Sequence, residues 1–280
     1  MRIVICDYSG HPFQVELSRC LAARGHDVLH LHFAEFQTPK GSLAARPDDP
    51  PTFHSEGITI AEPFAKENFA KRRFQEIKVG DLAAARALAF DPDVAVGCNM
   101  PLDAQNRFHK ACAREDVTFV FWLQDIYSRA ISHFLAKKLG PLGGAIGHYY
   151  TALEKRLLRS SDAVVAISDG FRPTLRTWGV NEAAISVIPN WAPLSEIHPV
   201  PKDNAWARRH GLQEKTVALY SGTLGLKHDP AFLLHLARAG GPRDLQVVVV
   251  SEGPAVSWLN QQKKVEHLAN LVLLPFQPMS

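Results

Sequence analysis

The chain has 280 residues, a length typical of about two domains. Apolar residues make up 46% and charged residues 21%, which is enough to bury a core and excludes a mainly disordered chain. The 31 Lys and Arg against 28 Asp and Glu leave a net charge of +3, which is too balanced to indicate nucleic-acid binding.

The four cysteines are far apart in the sequence and lack the CxxC spacing of a zinc site, so we interpret them as reduced thiols. The chain opens on a short apolar segment rather than on a secretion signal. No apolar run approaches the ~18 residues of a membrane span. These features predict a cytoplasmic protein without a metal site.

Short apolar segments alternate with amphipathic ones through the first two thirds of the chain. A strand, a glycine-containing loop, a helix, a glycine and a second strand predict a βαβ unit over residues 2–33. The pattern loosens over 35–57, which is rich in proline. Further strands are predicted at 93–97, 118–123, 163–167 and 185–188, and helices at 81–89, 101–115, 129–160 (interrupted at 140–144) and 170–178.

Residues 190–203 lack periodicity and are typical of a linker. Beyond them, strands are predicted at 216–220, 245–250 and 271–274, with helices at 229–239 and 255–267. We therefore predict an α/β fold of two Rossmann-like domains, 1–195 and 196–280, that face each other across a cleft. The second domain, with three strands, is predicted to be incomplete.

The segment that follows the strand at 216–220 has the composition of a phosphate-binding turn. Gly222 and Gly225 allow a tight turn, Lys227 supplies a cation, and Asp229 with Pro230 begins a helix. Free amides near a helix N-terminus and a lysine suit a diphosphate. An ordinary turn with a solvent-facing lysine fits the same residues.

Four segments in order resemble family-4 glycosyltransferases of the GT-B fold: VVAIS (164–168), IPNW (188–191), YSGTLGLK (220–227) and VVSEGP (249–254). The similarity is to bacterial enzymes of surface-polysaccharide assembly, such as colanic-acid or O-antigen transferases. It implies a retaining transfer from a UDP- or GDP-linked sugar to a saccharide or lipid-linked acceptor, without a metal or other cofactor. Relatives carry a pair of glutamates after the last strand found here, so we expect a truncated or shortened chain.

The resemblance also implies which residues form the site. The donor would be held by Gly222, Thr223, Gly225, Lys227, Glu252 and Gly253. Many relatives have Arg in the place of Thr223, which leaves more of the diphosphate charge to Lys227. The catalytic candidates are Ser9 and Gly10 in the first loop and Gln124 and Asp125 after the strand at 118–123. His11 is a further candidate because it follows Gly10 in that loop, and a loop histidine without a role fits the same position. Gln124 stands where relatives often carry His.

Two segments combine basic and aromatic residues, 64–78 with a local charge of +3 and 129–160 with +5. Either would suit peripheral contact with anionic lipid at the inner face of the cell membrane, or a solvated helix face. His30 and His32 share one face of a strand, but without a third ligand we interpret them as structural or cleft-lining.

Two other functions stay open at this point. A non-catalytic binding protein would keep the two-domain cleft without the paired glutamates. A sugar-nucleotide epimerase would use the same fold for different chemistry.

Overall fold

The computed structural model describes residues 1–36, 40, 42–65, 68–192, 194, 198–224, 228–240 and 244–277. The chain divides into two compact units, Met1–Ala192 and Pro193–Ser280. Each unit is an α/β arrangement built on a parallel sheet.

The first unit contains seven parallel strands in the spatial order β3-β2-β1-β4-β5-β6-β7. Its strands are β1 (Arg2–Asp7), β2 (Asp27–Phe33), β3 (Phe53–Ile58), β4 (Val94–Cys98), β5 (Thr118–Leu123), β6 (Ala163–Ala166) and β7 (Ile185–Val187). Its helices are α1 (Pro12–Ala23), α2 (Phe69–Ala89), α3 (Leu102–Arg114), α4 (Tyr127–Ser160) and α5 (Arg172–Thr177).

Helices cover both faces of this sheet, which explains the continuous apolar runs of its central strands. In β1 the side chains alternate between two cores. Val4 packs with the α2 and α3 side, whereas Ile5 packs with the α1 side. Gly80 of α2 allows the helices to approach closely, because a Cβ there would lie 2.7 Å from the Ala104 carbonyl oxygen in α3.

The helix α4 is a hairpin of two helices that meet at Gly140, where the backbone is non-helical (φ 56°, ψ −132°) and Pro141 follows. The two halves pack against each other through glycines. A Cβ on Gly143 would lie 1.9 Å from the Leu135 carbonyl oxygen, and a Cβ on Gly147 would lie 2.7 Å from Ser132 Oγ. We call residues 127–160 the α4 hairpin; its turn lies where the sequence predicts the interruption.

The second unit has three parallel strands in the order β10-β9-β8. They are β8 (Thr216–Ser221), β9 (Leu245–Val250) and β10 (Leu271–Leu274), with helices α6 (Ala205–Arg209), α7 (Ala231–Gly240) and α8 (Pro254–Val265). The central strand β9 is buried on both faces: Val249 packs in one core and Val248 in the other.

Three elements differ from the sequence prediction. The strand β3 (Phe53–Ile58) begins at the end of the proline-rich segment 35–57. As an edge strand it tolerates His54 and Glu56, which interrupt the apolar pattern. The helix α2 begins at Phe69 rather than at residue 81. Its first half is basic and largely exposed, so the apolar spacing that indicates a helix is weak there. The short α6 forms beside the predicted linker, capped by the Asn204 side chain.

Among the described residues, no helix combines the length and the apolar character that a membrane span requires.

Candidate active site

The loop after β1 is organised by a buried carboxylate. Asp7 is fully buried, and its two oxygens accept the backbone N–H groups of Ser9, at 3.1 Å, and of His11. Between them, Gly10 adopts a positive φ of 75°, a conformation that L side chains rarely adopt. The predicted catalytic residues 9–11 therefore form one turn around the Asp7 side chain, directly before α1.

Two amides complete the environment of Asp7. Asn99, which follows β4, places Nδ2 3.3 Å from Asp7 Oδ1 and 3.3 Å from His11 Nδ1. In the amide orientation that satisfies its neighbours, Gln14 donates to both Asp7 oxygens, at 2.9 and 2.8 Å, and accepts from Asn99 at 3.1 Å. When Asn99 donates to Nδ1, the proton of a neutral His11 ring lies on Nε2.

The His11 side chain is 34% exposed, so its ring can contact a ligand while one edge rests on this network. Sequence analysis did not single out Asp7, Gln14 or Asn99. The charge of Asp7 at the end of the apolar run 3–6 is the one local sign of a special role. Its contact with Asn99 leaves no local pattern, because the two residues are 92 positions apart.

An aromatic group joins the end of β5 to the start of α1. Trp122 and Trp191 stack with ring centroids 6.0 Å apart, and Phe13 meets their edges at 5.9 and 5.7 Å. Trp191 Nε1 donates to Glu16 Oε2 at 2.7 Å. The segment 188–191 is thereby fixed against α1.

The predicted residues Gln124 and Asp125 follow β5 at the same carboxyl edge of the sheet. The Gln124 amide pairs reciprocally with Asn190, donating at 3.2 Å and accepting at 2.7 Å. Asp125 is exposed. Because β1, β4 and β5 are neighbouring parallel strands, the topology brings 9–11 and 124–125 to one edge of this unit.

The start of the α4 hairpin is anchored by a second buried carboxylate. Glu154 accepts the backbone N–H groups of Tyr127 at 2.9 Å and Ser128 at 3.0 Å. These N–H groups have no partner within the first turn of a helix, so the carboxylate serves as a cap. Burial raises the pKa of Glu154.

In the second unit, the loop after β8 is fastened to the end of β9. Gly222 N–H donates to the Val250 carbonyl at 3.1 Å, and Leu224 N–H donates to Ser251 Oγ at 3.1 Å. The Tyr220 hydroxyl donates to the Thr223 carbonyl at 3.2 Å. Nothing in the local sequence indicates this role of Ser251, since it lies 27 positions from Leu224.

Gly222 and Gly253 give this edge an open backbone surface. Their φ values are 148° and 109°, and a Cβ on either would have no neighbour within 4 Å. Gly253 precedes α8, whose first N–H groups receive no side-chain cap, and Glu252 is exposed beside it. Gly225 and Lys227, two of the predicted donor residues, lie outside the described residues.

The two histidines of β2 lie in the interior of the first unit. His30 is fully buried, its Nδ1 lies 2.9 Å from Ser18 Oγ, and burial lowers its pKa to about 4. Burial also lowers the pKa of His32, whose ring centroid is 6.3 Å away. Over the described ranges, no three His, Cys, Asp or Glu side chains cluster as metal ligands would.

The two α/β units with their parallel sheets match solved structures of the GT-B class, in agreement with the predicted fold class. HepE from Anabaena, solved in complex with UDP and glucose, is 18% identical with a TM-score of 0.68 over 100% of this chain and 70% of its own. WaaG, a glycosyltransferase involved in lipopolysaccharide biosynthesis, is 16% identical with a TM-score of 0.64 over 98% and 70%. UDP-N-acetylglucosamine 2-epimerase from Rickettsia bellii is 12% identical with a TM-score of 0.61 over 100% and 70%.

Residues 11–191 match the sequence profile of the family described as glycosyl transferase 4-like domain, and the chain belongs to that family. No curated protein matches the chain significantly. The glycosyltransferase resemblance predicted from the sequence is thus confirmed at the level of the family.

Proposed function

We propose that the chain transfers a sugar from a UDP- or GDP-linked donor to a saccharide or lipid-linked acceptor in the synthesis of cell-surface polysaccharide. Membership of the glycosyl transferase 4-like family supports the reaction class. The complex of HepE with UDP and glucose supports a nucleotide-sugar donor, and the involvement of WaaG in lipopolysaccharide biosynthesis supports the polysaccharide role.

The observation that carries the donor assignment is the pair of open glycines at the carboxyl edge of the small sheet. At Gly222 and Gly253 no side chain screens the backbone, so phosphate oxygens can approach it closely. The N–H of Gly222 is engaged with the Val250 carbonyl, so the donors we assign are the N–H groups at the start of α8 that lack a side-chain cap. The N-terminus of α8 adds partial positive charge at the same edge. We assign the diphosphate to this surface, with Thr223 and Glu252 beside it and Lys227 as the cation.

In a retaining transfer, the bond between the anomeric carbon and the diphosphate oxygen breaks and its electron pair leaves with the diphosphate. The acceptor hydroxyl oxygen bonds to the same face of the sugar, and its proton passes to the departing diphosphate. Backbone N–H groups and Lys227 would stabilise the developing negative charge, a role that metal ions have in other enzymes.

We assign the loop after β1 to the reacting sugar. His11 would donate from Nε2 to a sugar oxygen while Asp7 and Asn99 hold its backbone and its other ring nitrogen. Gln124 and Asp125 would bind sugar hydroxyls at the same edge. Ser9 and Gly10 shape the turn that presents His11.

Product analysis with labelled UDP-glucose and GDP-mannose tests the proposal. We expect a labelled saccharide to form only when extracted lipid-linked or soluble saccharides are added, and Lys227→Ala to reduce turnover at least tenfold. The matched control Lys215→Ala, which removes the partner of Asp244, is expected to keep full turnover.

An epimeric nucleotide sugar formed without acceptor would instead indicate the epimerase function, which the likeness to the Rickettsia bellii enzyme keeps as the second candidate. Nucleotide binding with neither product would indicate a non-catalytic binding protein.

A further inference from the structure

The α4 hairpin projects beyond the carboxyl edge of the large sheet. Glu154 binds the N–H groups of Tyr127 and Ser128, so it lies level with the point where the chain leaves β5. Pro141 at the turn lies thirteen positions before Glu154. At 1.5 Å per helical residue, the turn stands about 20 Å from that level.

The direction of this projection follows from the path of the chain. The second half of the hairpin runs from the turn past Glu154 to Ser160, shortly before β6 begins at the opposite edge of the sheet, so the turn lies on the far side of Glu154. The packing within the hairpin shows that its first half runs alongside. Gly147 lies against Ser132, and Gly143 lies against Leu135. The contacts thus climb in step from the base at Glu154 to the turn, as they do in two antiparallel helices. The base lies at the edge of the sheet that carries residues 9–11 and 124–125.

The turn of the hairpin is apolar, basic and exposed. All seven residues from 136 to 142 are exposed. Leu139 and Leu142, on either side of Gly140, have exposed fractions of 45% and 64%. Lys137 and Lys138 come directly before Leu139, and together these four side chains form what we call the hairpin tip.

The part of the hairpin that lies before Glu154 carries basic residues and no acidic residue. Residues 127–153 contain Arg129, Lys137 and Lys138 but no Asp or Glu. Lys138 Nζ lies over the Phe69 and Phe134 rings, at 4.9 and 5.8 Å from their centroids.

The other basic segment, 64–78, differs in this respect. Three of its cations pair with carboxylates: Lys71 with Glu62 at 3.1 Å, Arg72 with Glu76 at 2.7 Å, and Arg73 with Asp103 at 2.8 Å. Its charge is largely neutralised within the protein, so of the two segments the hairpin offers the better surface for an anionic partner.

We infer that the hairpin tip docks on an anionic lipid bilayer, with Leu139 and Leu142 entering the interfacial layer and Lys137 and Lys138 contacting lipid phosphates. The two leucines and the partly exposed Phe69 ring beside Lys138 make a small apolar surface compared with the about 800 Å² per partner that a stable protein interface buries. Two lysines next to two leucines suit an anionic bilayer, whose headgroups carry negative charge and whose acyl chains below them are apolar. Docking would hold the carboxyl edge of the large sheet within about 20 Å of the membrane.

This inference goes beyond the proposed transferase function, and vesicle flotation tests it without any sugar donor. The full chain is mixed with vesicles of phosphatidylcholine alone or with about one third phosphatidylglycerol. We expect binding to the anionic vesicles only. Each lysine near an anionic surface contributes about 1 kcal/mol, or about fivefold, so Lys137→Gln with Lys138→Gln should weaken binding at least tenfold.

The leucine contribution is tested by Leu139→Ser with Leu142→Ser, which should also weaken binding at least tenfold because burying a leucine is worth about tenfold or more. The matched control replaces Lys263, Lys264 and the exposed Val265 of α8 by Gln, Gln and Ser and should bind as the wild type does. All variants alter surface side chains, so unchanged circular dichroism is expected.

Three results would overturn the inference: equal binding to neutral and anionic vesicles, tip variants that bind as the wild type does, or the same loss in the α8 control. Light scattering that shows a dimer dissociated by the leucine substitutions would assign the tip to a second copy of the chain instead. Failure of sugar transfer would leave vesicle binding unaffected, so the two proposals fail separately.

Discussion

Replacing Asp7 by Asn changes one atom of the group that holds the loop after β1. The carboxylate accepts N–H groups from Ser9 and His11 on its two oxygens and lies against the Gln14 and Asn99 amides. An Asn side chain keeps one oxygen and turns an NH₂ group toward the other donor. At least one buried N–H group then loses its acceptor, at a cost of about 1–3 kcal/mol.

We therefore expect Asp7→Asn to lower the free energy of unfolding by about 2 kcal/mol and Asp7→Ala, which removes both acceptors, by about 4 kcal/mol. Urea denaturation followed by tryptophan fluorescence measures both. Because His11 loses its fixed backbone position, kcat/KM for sugar transfer should fall at least tenfold in Asp7→Asn under conditions where the protein remains folded.

Asp91→Asn is the matched control, since Asp91 is an exposed carboxylate in a left-handed conformation that Asn also adopts. It should leave stability and turnover unchanged. If the free energy of unfolding of Asp7→Asn lies within about 0.5 kcal/mol of the wild-type value and turnover is kept, the carboxylate does not organise this loop.

Two further predictions concern buried titratable groups. Burial lowers the pKa of His30 from 6.5 to about 4, so the unfolded chain binds a proton between these values and the folded chain does not. Stability should be complete above about pH 6.5 and fall by about 2–3 kcal/mol on acidification to about pH 4.5. His30→Gln should flatten this pH dependence, which urea unfolding at several pH values measures. His54→Gln, which removes an exposed ring, should keep it. Equal slopes of stability against pH in the wild type and both variants would exclude His30 as the cause. Glu154→Gln leaves the N–H of Tyr127 or Ser128 without a full acceptor and should lower Tm by about 2–4 °C in calorimetry, and an unchanged Tm would show that the cap is dispensable.

Much of the architecture was predictable because parallel strands buried on both faces are continuous apolar runs. Segments such as Thr118–Leu123 and Leu245–Val250 carry this signal without interruption, and the predicted strands were confirmed there. The signal fails at Phe53–Ile58, an edge strand that tolerates His and Glu. It also fails for the first half of α2, where exposed cations hide the helical pattern.

The site was predictable only where topology alone determines position. Residues that follow a parallel strand must lie at its carboxyl edge, which places Gln124 and Gly222 correctly from the sequence. The contacts that shape the site are long-range and leave no local pattern: Asp7 meets Asn99 across 92 positions, and Gln124 meets Asn190 across 66. Such pairings require the folded sheet.

The α4 hairpin has one feature that the local sequence predicts and one that depends on the folded structure. The sequence predicts the interruption around Gly140, since a glycine followed by proline ends a helix. That the second half folds back along the first depends on Gly143 and Gly147, whose missing side chains permit contact with the facing backbone. The tip with its exposed leucines follows from this fold-back rather than from the basic composition.

Nucleotide binding at the loops after β8 and β9 is the central claim, and titration calorimetry with UDP and GDP measures it directly. We predict that the chain binds one of the two and that Gly253→Val weakens binding at least tenfold. The matched variant Gly211→Val should bind normally, since Gly211 also has a positive φ and open space around it but lies in the turn before β8. Failure of both nucleotides to bind the wild-type chain, or equal weakening by the two substitutions, would contradict the assignment.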